Sequence, residues 1–404
     1  MKRKLLSLAA MAACAFAGSA QAQISDGIVK IGVLNDMSGL YSDITGPGSV
    51  TAARMAVEDY IKATKSTLKV EIVSADHQNK PDVGSNVARQ WFDTDKVDMI
   101  ADVPTSSVGL AVAKIASDKG KLHVNSGSAT ADLSGKACNA NTIHWAYDTW
   151  MLANGTGKAI VKSGGDTWFF LTADYAFGQA LERDTEAVVL KNGGKVVGKV
   201  RTPFPTQDFS SFLLQAQASK AKIIGLANAG GDTTNSIKQA AEFGITKGGQ
   251  NLAGLLVFLP DVHSLGLNIA QGLKLTETFY WDLNDNTRAF TKRFAAAQGG
   301  KYPSMVQAGV YSSVIHYLKA VDAAKTDDGT KVAAKMKELP TDDPLFGKGS
   351  VRADGRKIHP AYLFEVKKPA ESKGPYDYYK LISTIPANEA FRPLAESDCP
   401  LVKK

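Results

Sequence analysis

Short apolar runs alternate with stretches of helical periodicity through most of this 404-residue chain. After the first run, Val50, Val57 and Tyr60 recur at the spacing that places side chains on one face of a helix. Alternation of this kind predicts an α/β fold, with parallel sheets covered by helices. The strand-like runs are 28–34, 68–75, 98–102, 121–125, 167–172, 195–201, 222–228, 252–258 and 273–281.

The length of the chain predicts more than one domain, because a single hydrophobic core rarely grows beyond about 250–300 residues. Turn-rich breaks at 139–141, 284–286 and 339–344 suit passages between two domains. The segment 361–385 is rich in Tyr and contains Gly374-Pro375, which predicts an antiparallel hairpin near the end of the chain.

The N-terminus has the pattern of a secretory signal. Three basic residues precede an apolar run over 5–17, and Ala20-Gln21-Ala22 supplies the small residues that signal peptidase accepts. We therefore predict a signal peptide over 1–22, cleaved after Ala22. A transmembrane anchor is the alternative, but the run is shorter than the roughly 20 residues that a spanning helix needs.

Removal of the signal lowers the formal net charge from +7 to +4, because Lys2, Arg3 and Lys4 are lost. The remaining excess is spread along the chain and forms no basic stripe with interleaved aromatics, so no nucleic-acid partner is expected. Two cysteines remain, Cys138 and Cys399. In an oxidising compartment they predict one disulfide, with two buried free thiols as the alternative.

Three loops rich in small polar residues each follow a predicted strand, at 35–42, 103–109 and 126–132. Their hydroxyl and backbone N–H groups suit a carboxylate, because ligands of open α/β sheets collect beyond the carboxyl ends of the strands. Any one loop alone is more typical of helix capping than of a ligand site. Three together predict a shared pocket, and its candidate residues are Ser38, Tyr41, Thr105, Ser106, Ser107, Ser128, Ala129 and Thr130.

The sequence gives little support to an enzyme. The six histidines lack the close helical spacing of a zinc site, and no nucleophile elbow, phosphate-binding loop or dinucleotide fingerprint is present. No metal or cofactor is therefore expected. His263 beside Asp261 leaves a hydrolase as a weak alternative, and an extracytoplasmic ligand sensor is another.

An ordered set of motifs along nearly the whole mature chain resembles the periplasmic solute-binding proteins of ABC importers, of the leucine/isoleucine/valine-binding type. The residues that carry the resemblance are Ile31-Gly32-Val33-Leu34 with Ser38-Gly39, Thr105-Ser106-Ser107, Ser128-Ala129-Thr130-Ala131-Asp132-Leu133, Asp174-Tyr175-Ala176-Phe177-Gly178 and Pro260-Asp261.

The resemblance implies a type I periplasmic binding fold. Two Rossmann-like lobes of parallel sheet flanked by helices are expected, joined by three hinge crossings near Tyr147, Phe279 and Asp343. The implied division is 23–147 plus 280–343 for lobe 1, 148–279 plus 344–385 for lobe 2, and a C-terminal tail over 386–404.

The resemblance also implies roles for site residues. Ser106 or Ser107, together with Ser128 and Thr130, correspond to the residues that hold a ligand carboxylate, and Tyr175 to an aromatic of the second lobe. Asp261 corresponds to the acidic partner of an amino group, although the family usually has a glutamate there. Asn228-Ala229-Gly230-Gly231 stands where amino-acid binders often carry tyrosines, and its small residues predict room for a ring.

The expected function is that of a periplasmic receptor. It captures a small carboxylate-bearing ligand between two lobes and delivers it to the membrane permease of an ABC importer. A branched-chain or other amino acid and an aromatic carboxylate both remain open as ligands. The protein is expected to be a monomer.

Overall fold

The computed structural model describes residues 24–403, so the predicted signal peptide and the cleavage after Ala22 lie outside the described residues. No helix between 24 and 403 is long and apolar enough to cross a bilayer. The strands are β1 (Val29–Asn35), β2 (Val70–Asp76), β3 (Met99–Asp102), β4 (Leu122–Asn125), β5 (Thr142–His144), β6 (Thr167–Ala173), β7 (Lys195–Thr202), β8 (Ile223–Ala227), β9 (Asn251–Gly254), β10 (Lys274–Glu277), β11 (Thr341–Asp343), β12 (Gly347–Val351), β13 (Lys357–Ile358), β14 (Ala361–Val366) and β15 (Tyr379–Ile385).

The helices follow the predicted alternation. They are α1 (Gly46–Thr64), α2 (Pro81–Asp93), α3 (Ser106–Asp118), α4 (Thr149–Leu152), α5 (Lys158–Lys162), α6 (Ala176–Lys191), α7 (Ser210–Ala218), α8 (Gly231–Glu242), α9 (Leu259–Leu265), α10 (Leu267–Ala270), α11 (Asp285–Ala297), α12 (Met305–Ala324), α13 (Gly329–Glu338) and α14 (Ala387–Ala390). A π-helical turn, Ala153–Gly157, joins α4 to α5, and short 3₁₀ turns cover Ala131–Ser134, Pro369–Glu371 and Leu394–Glu396.

Two parallel sheets form the centres of the two lobes. The first has the strand order β2-β1-β3-β4-β5 and the second β7-β6-β8-β9. In the first, Ile31 of β1 lies between Ile72 of β2 and Met99 of β3. Central strands of this kind are apolar on both faces because helices cover both. The predicted α/β fold with two lobes of parallel sheet is confirmed.

The predicted C-terminal hairpin is also present. β14 and β15 pair antiparallel, and β10 adds to the other edge of β14. Phe364 and Tyr379 of this small sheet belong to the same buried apolar cluster as Leu171 of β6, so the sheet packs on the second lobe. The Tyr280 and Tyr379 ring centroids are 4.8 Å apart. The Tyr379 hydroxyl donates to Glu277 Oε1 at 2.9 Å, which gives this buried carboxyl group a hydrogen-bond partner.

The segment 341–358 was assigned partly to lobe 2, but its small antiparallel sheet packs on the first lobe. The Lys357 ammonium is fully buried, 3.2 Å from Asp343 Oδ2 and 3.5 Å from the Ser312 hydroxyl of α12. An isolated β-bridge pairs Arg356 with His144 at the end of β5. These contacts favour placing the segment with lobe 1, and we propose that amended division.

Three connections join the lobes. With the segment 341–358 placed in lobe 1, we propose that they run from β5 to α4, from β10 to α11, and from β13 to β14, which would put the third later in the chain than the position near Asp343. The π turn after α4 is tied to β10, the strand that precedes the second connection, since the Thr156 and Thr276 hydroxyls are 2.8 Å apart. Gly155 of the π turn permits this close approach, because a Cβ there would lie 2.3 Å from Thr276 Oγ1.

A disulfide joins Cys138 to Cys399, which have a sequence separation of 261 and Cα atoms 5.5 Å apart. The C-terminal tail that carries Cys399 also contacts the second lobe, where Arg392 Nη2 lies 3.4 Å from Asp184 Oδ1. The tail is thus bound to both lobes.

Replacement of both cysteines, Cys138→Ser with Cys399→Ser, is expected to lower the free energy of unfolding by roughly 2–5 kcal/mol, because the disulfide closes a long loop in the unfolded chain. Thermal and denaturant unfolding measure the loss. The reduced wild-type protein is the control, since it lacks the bond but carries no buried hydroxyl. Equal stability of oxidised and reduced wild type would contradict this prediction.

Candidate functional site

A small cavity lies where the two lobes face each other, at the carboxyl ends of strands from both parallel sheets. The loops after β1, β3 and β4 line it from the first lobe, and those after β6, β8 and β9 line it from the second. Its walls are largely apolar and aromatic. The lining residues are Tyr41, Ile44, Thr45, Pro104, Gly127, Ala129, Tyr147, Tyr175, Phe177, Ala229, Leu256, Phe258 and Val306.

The loop after β1 is held in shape by the buried carboxylate of Asp36. Its Oδ1 accepts the Gly39 N–H at 2.7 Å, and its Oδ2 accepts the Tyr41 N–H at 2.9 Å. Asn79 Nδ2 also donates to Oδ2, at 2.7 Å. These bonds position Tyr41, which is only 3% exposed.

Tyr41 of the first lobe meets the second lobe directly. Its hydroxyl lies 2.5 Å from the Tyr175 hydroxyl, and Phe204 stacks on the Tyr175 ring at a centroid distance of 4.2 Å. The Tyr41 and Phe204 ring centroids are 5.9 Å apart. Burial raises the pKa of both tyrosines, so one hydroxyl donates to the other across the cleft.

The turn at Gly230 was expected to leave room for a ring, but the first lobe fills this space. A Cβ on Gly230 would lie 2.6 Å from the Leu40 carbonyl oxygen and 2.9 Å from the Tyr41 ring. Gly230 has φ +56°, a conformation that favours glycine. The Gly231 N–H donates to the Leu40 carbonyl at 3.4 Å. The small residues of the second lobe therefore accommodate the first lobe in this conformation.

Little free space remains in the cavity. The cavity volume is about 10 Å³, which is about what one water molecule requires. A ligand larger than water therefore requires the lobes to separate or the tyrosine side chains to move.

The predicted carboxylate-binding hydroxyls already have partners in the first lobe. Ser128 Oγ donates to the Val103 carbonyl at 2.5 Å, and Ser106 Oγ accepts the Thr130 N–H at 3.2 Å. The Thr105 hydroxyl donates to Asn79 Oδ1. These contacts join the loops after β3 and β4, so the hydroxyls hold the cavity wall in shape.

The remaining candidate residues fall into two groups. Tyr41, Ala129 and Tyr175 line the cavity. The others do not line it: Ser107 is half-buried at the start of α3, Ser38 is exposed and donates to Asp76, and Asn228 is buried with its Oδ1 bonded to Thr233.

Asp261 caps a helix of the second lobe. Its Oδ2 accepts the Phe258 N–H at 2.9 Å at the start of α9. Burial raises the pKa of Asp261 to about 7. Burial also raises the pKa of neighbouring Glu277 well above its usual range. Asp261 is thus close to the cavity wall, but its side chain is not part of the lining.

Two further buried aspartates lie near the cleft, one in each lobe. Asp102 Oδ2 accepts from Asn35 Nδ2 at 3.1 Å, and Asp232 Oδ1 accepts the Thr206 N–H at 3.1 Å. Their other oxygens have no hydrogen-bond partner within residues 24–403. Burial raises the pKa of each to about 7. No Lys, Arg or His side chain is among the lining residues, so a bound anion would depend on N–H and O–H donors.

Sequence reasoning missed most of the apolar lining. The sequence places Tyr147 at a predicted hinge crossing, and it places Phe177 in one of the motifs that carry the family resemblance. No local signal pointed to Phe204, Leu256 or Phe258, which reach the cleft only through the arrangement of the second sheet.

The comparisons with known proteins agree with this architecture. The sequence matches the periplasmic binding protein family over residues 28–374, so the chain belongs to that family. Proteins of this family bind solutes for ABC transporters, and the chain is a solute-binding protein rather than an enzyme.

Individual relatives cover almost the whole chain. A periplasmic binding protein from Burkholderia mallei is 51% identical, covers 94% of this chain and 100% of its own, and superposes with a TM-score of 0.91. The periplasmic ligand-binding protein of a branched chain amino acid ABC transporter from Burkholderia xenovorans is 41% identical over 93% of this chain and 100% of its own, with a TM-score of 0.82. A Leu/Ile/Val-binding protein homolog from Brucella melitensis is 24% identical over 95% of this chain and 97% of its own.

Asp102 makes stability depend on pH. Its pKa is about 7 in the folded protein but about 3.9 when unfolded, so the folded state holds the extra proton between these values. Stability therefore falls as the pH rises from about 4 to 7. Asp102→Asn has no carboxyl group to titrate at this position. Its free energy of unfolding is expected to exceed that of wild type by more than about 1 kcal/mol at pH 8 and to equal it at pH 4.

Thermal unfolding between pH 4 and 8 measures the effect. The exposed Asp26→Asn is the control and is expected to follow the wild-type profile. An Asp102→Asn profile parallel to wild type would show that burial does not raise the pKa of this carboxyl.

Proposed function

We propose that this protein is the periplasmic receptor of an ABC importer, that it captures a small organic carboxylate between its lobes, and that it delivers this ligand to a membrane permease. The observation that carries the proposal is the cavity itself, because loops from the carboxyl ends of both parallel sheets meet around it. Open α/β sheets bind ligands at this edge. The monomeric state remains a prediction.

Backbone donors at the cavity suit a carboxylate. α3 begins at Ser106, two residues after the lining residue Pro104, and no side chain within residues 24–403 caps its first N–H groups. Such N–H groups lack partners within the helix and favour an anion. The lining residue Ala129 lies in the neighbouring loop, whose shape depends on Ser128 and Ser106.

The arrangement favours a carboxylate without an obligatory amine. Among the described residues no acidic side chain lines the cavity, and one oxygen of Asp261 caps α9. The name of the 41% identical relative supports an amino acid as the alternative. The unpartnered Oδ2 of Asp232, in the second lobe, offers an acceptor for an amine after rearrangement.

Closure would couple binding to transport. A ligand that contacts both lobes only in the closed form shifts the population toward that form by its differential affinity for the two. The permease can then distinguish loaded from empty receptor by the relative position of the lobes.

Thermal shift of the ligand-stripped protein tests the proposal. The panel consists of leucine, isoleucine and valine, short aliphatic carboxylates, benzoate, and neutral amides. A carboxylate without an amine is expected to raise the melting temperature, since a ligand at 100 times its Kd stabilises the folded state by about 2.7 kcal/mol. Stabilisation by amino acids alone would favour the amino-acid alternative over an amine-free carboxylate. No stabilisation by any carboxylate, amino acids included, would contradict the proposed function.

Asp261→Asn separates the two ligand classes. Asparagine keeps an oxygen that accepts the Phe258 N–H, so the cap on α9 is retained while the charge is lost. We expect the Kd of an amine-free carboxylate to change less than about threefold, because it makes no ion pair with Asp261. Isothermal titration measures the Kd, with Asp232→Asn as a parallel variant. A tenfold or larger loss for the carboxylate would place Asp261 in its binding site.

A further inference from the structure

The loop after β4 is bonded, over its later half, to the start of α4. The Thr149 N–H donates to the Ala129 carbonyl at 2.8 Å, and the Ala131 N–H donates to Thr149 Oγ1 at 3.0 Å. Thr149 is fully buried, and Ala129 lines the cavity. One threonine therefore fixes the backbone on both sides of Thr130, a predicted carboxylate ligand.

The earlier half of the same loop is held by the first lobe alone. Asn125 Nδ2 donates to the Ser128 carbonyl at 2.7 Å, and the Ser128 N–H donates to Asn125 Oδ1 at 3.0 Å. Asn125 is the last residue of β4 in the first sheet. The loop thus keeps its shape up to Ser128 without the second lobe, whereas its later half depends on Thr149.

Asp184 of α6 orients the Thr149 hydroxyl. The helix follows β6 and packs on the second sheet. The hydroxyl donates to Asp184 Oδ2 at 2.6 Å, and Asp184 is 5% exposed. A hydroxyl has one proton, so a proton directed at the carboxylate leaves a lone pair to accept the Ala131 N–H. Because hydrogen bonds to ionised groups are strong, Asp184 determines the direction of this hydroxyl.

Arg183, next to Asp184 in the chain, makes a second contact with the loop. Its Nη1 lies 3.0 Å from Asp132 Oδ1, and its Nε donates to Asp184 Oδ1 at 2.9 Å. The Arg183 side chain is 44% exposed, and exposed ion pairs contribute little to stability. The buried path from Asp184 through Thr149 is therefore the stronger of the two.

Two arginines hold the Asp184 carboxylate in place. Arg392 of the C-terminal tail has its Nη2 3.4 Å from Asp184 Oδ1, the oxygen that also accepts from Arg183. With Oδ1 facing two guanidinium groups, Oδ2 stays directed at Thr149. The orientation of this carboxylate is thus set by the second lobe and the tail together.

We propose that Asp184 is a positioning residue for ligand binding in the opposite lobe: through Thr149 it holds residues 129–132 in the shape that contacts the ligand carboxylate. Asp184 itself makes no contact with the ligand in this arrangement. The effect on affinity rests on the proposed function, because the ligand carboxylate is taken to lie against this loop. The hold of Asp184 on the loop involves no ligand, so the two are measured separately.

Two buried carboxyl groups of α6 give a matched pair of variants. Glu182 Oε2 accepts the Thr172 hydroxyl at 2.6 Å, as Asp184 Oδ2 accepts that of Thr149, but Thr172 belongs to β6 of the second sheet. Asp184→Asn and Glu182→Gln each remove a buried charge bonded to a threonine hydroxyl, and only the first reaches the loop. Thr149→Val removes the hydroxyl but keeps the branched shape, and Thr149→Ser keeps the hydroxyl.

Hydrogen–deuterium exchange of the segment 129–133 in the ligand-stripped mature protein tests the hold on the loop. The Ala131 amide is expected to exchange at least about tenfold faster in Asp184→Asn and in Thr149→Val than in wild type, because its acceptor is misdirected or lost. Thr149→Ser and Glu182→Gln are expected to stay within about twofold of wild type. Wild-type exchange in Asp184→Asn and Thr149→Val would overturn the proposal, and should Asp184→Asn fail to fold, Thr149→Val decides alone.

Isothermal titration with benzoate and with leucine tests the effect on binding, because the two probes share a carboxylate and differ in the amine. A probe that binds wild type is expected to bind Asp184→Asn and Thr149→Val about fivefold or more weakly, which is within the range of one hydrogen bond. Thr149→Ser and Glu182→Gln are expected to leave its Kd unchanged. The double variant is expected to match the weaker single variant, since both changes act through one hydroxyl.

The two measurements separate the possible failures. An unchanged Kd in both Asp184→Asn and Thr149→Val, or an equal loss in Glu182→Gln, would overturn the positioning role. Binding of neither probe to wild type would contradict the proposed function for these ligands, while the exchange result would still decide whether Asp184 holds the loop.

Discussion

The geometry of parallel strands determines where this protein can bind a ligand. All strands of a parallel sheet end at the same edge, so the loops after β1, β3 and β4 gather on one side of the first lobe. The loops after β6, β8 and β9 do the same in the second. The three connections turn these edges toward each other, and one cavity results, lined by both lobes.

The connections depend on buried polar contacts. Arg356 is 1% exposed, and its Nη1 donates to the carbonyls of His144 and Tyr147 at 3.0 and 3.2 Å. Its Nε lies 3.2 Å from Asp148 Oδ2, at the start of the second lobe. A buried cation with several partners resists displacement, because any broken contact leaves charge without compensation. We therefore infer that each lobe moves as a rigid body and that the hinges are the short chain segments between such contacts.

Local sequence patterns predicted the sheets and the hairpin well, because apolar runs and helical spacing depend on neighbours along the chain. The site was less predictable. Ser128 is a predicted carboxylate ligand by its place after a strand and by the resemblance, and the sequence alone does not indicate that its hydroxyl also bonds the Val103 carbonyl of the adjacent loop. Phe204 had no local signal, because it reaches the cleft through the position of β7 in the second sheet. Contacts between distant segments decide such cases, and a single sequence does not contain them in readable form.

Gly230 illustrates the same limit more sharply. A small residue in a binding loop is easily interpreted as space for a ligand, and that interpretation treats the lobe as if it were alone. In this structure the space next to Gly230 is occupied by Leu40 and Tyr41 of the other lobe. The volume of an interlobe site is therefore a property of the pair of surfaces. A glycine opposite a tyrosine allows the two lobes to pack closely, and the same glycine offers room for a ligand only after that tyrosine moves. The packing of the lobes and the room for a ligand thus depend on the same side chains.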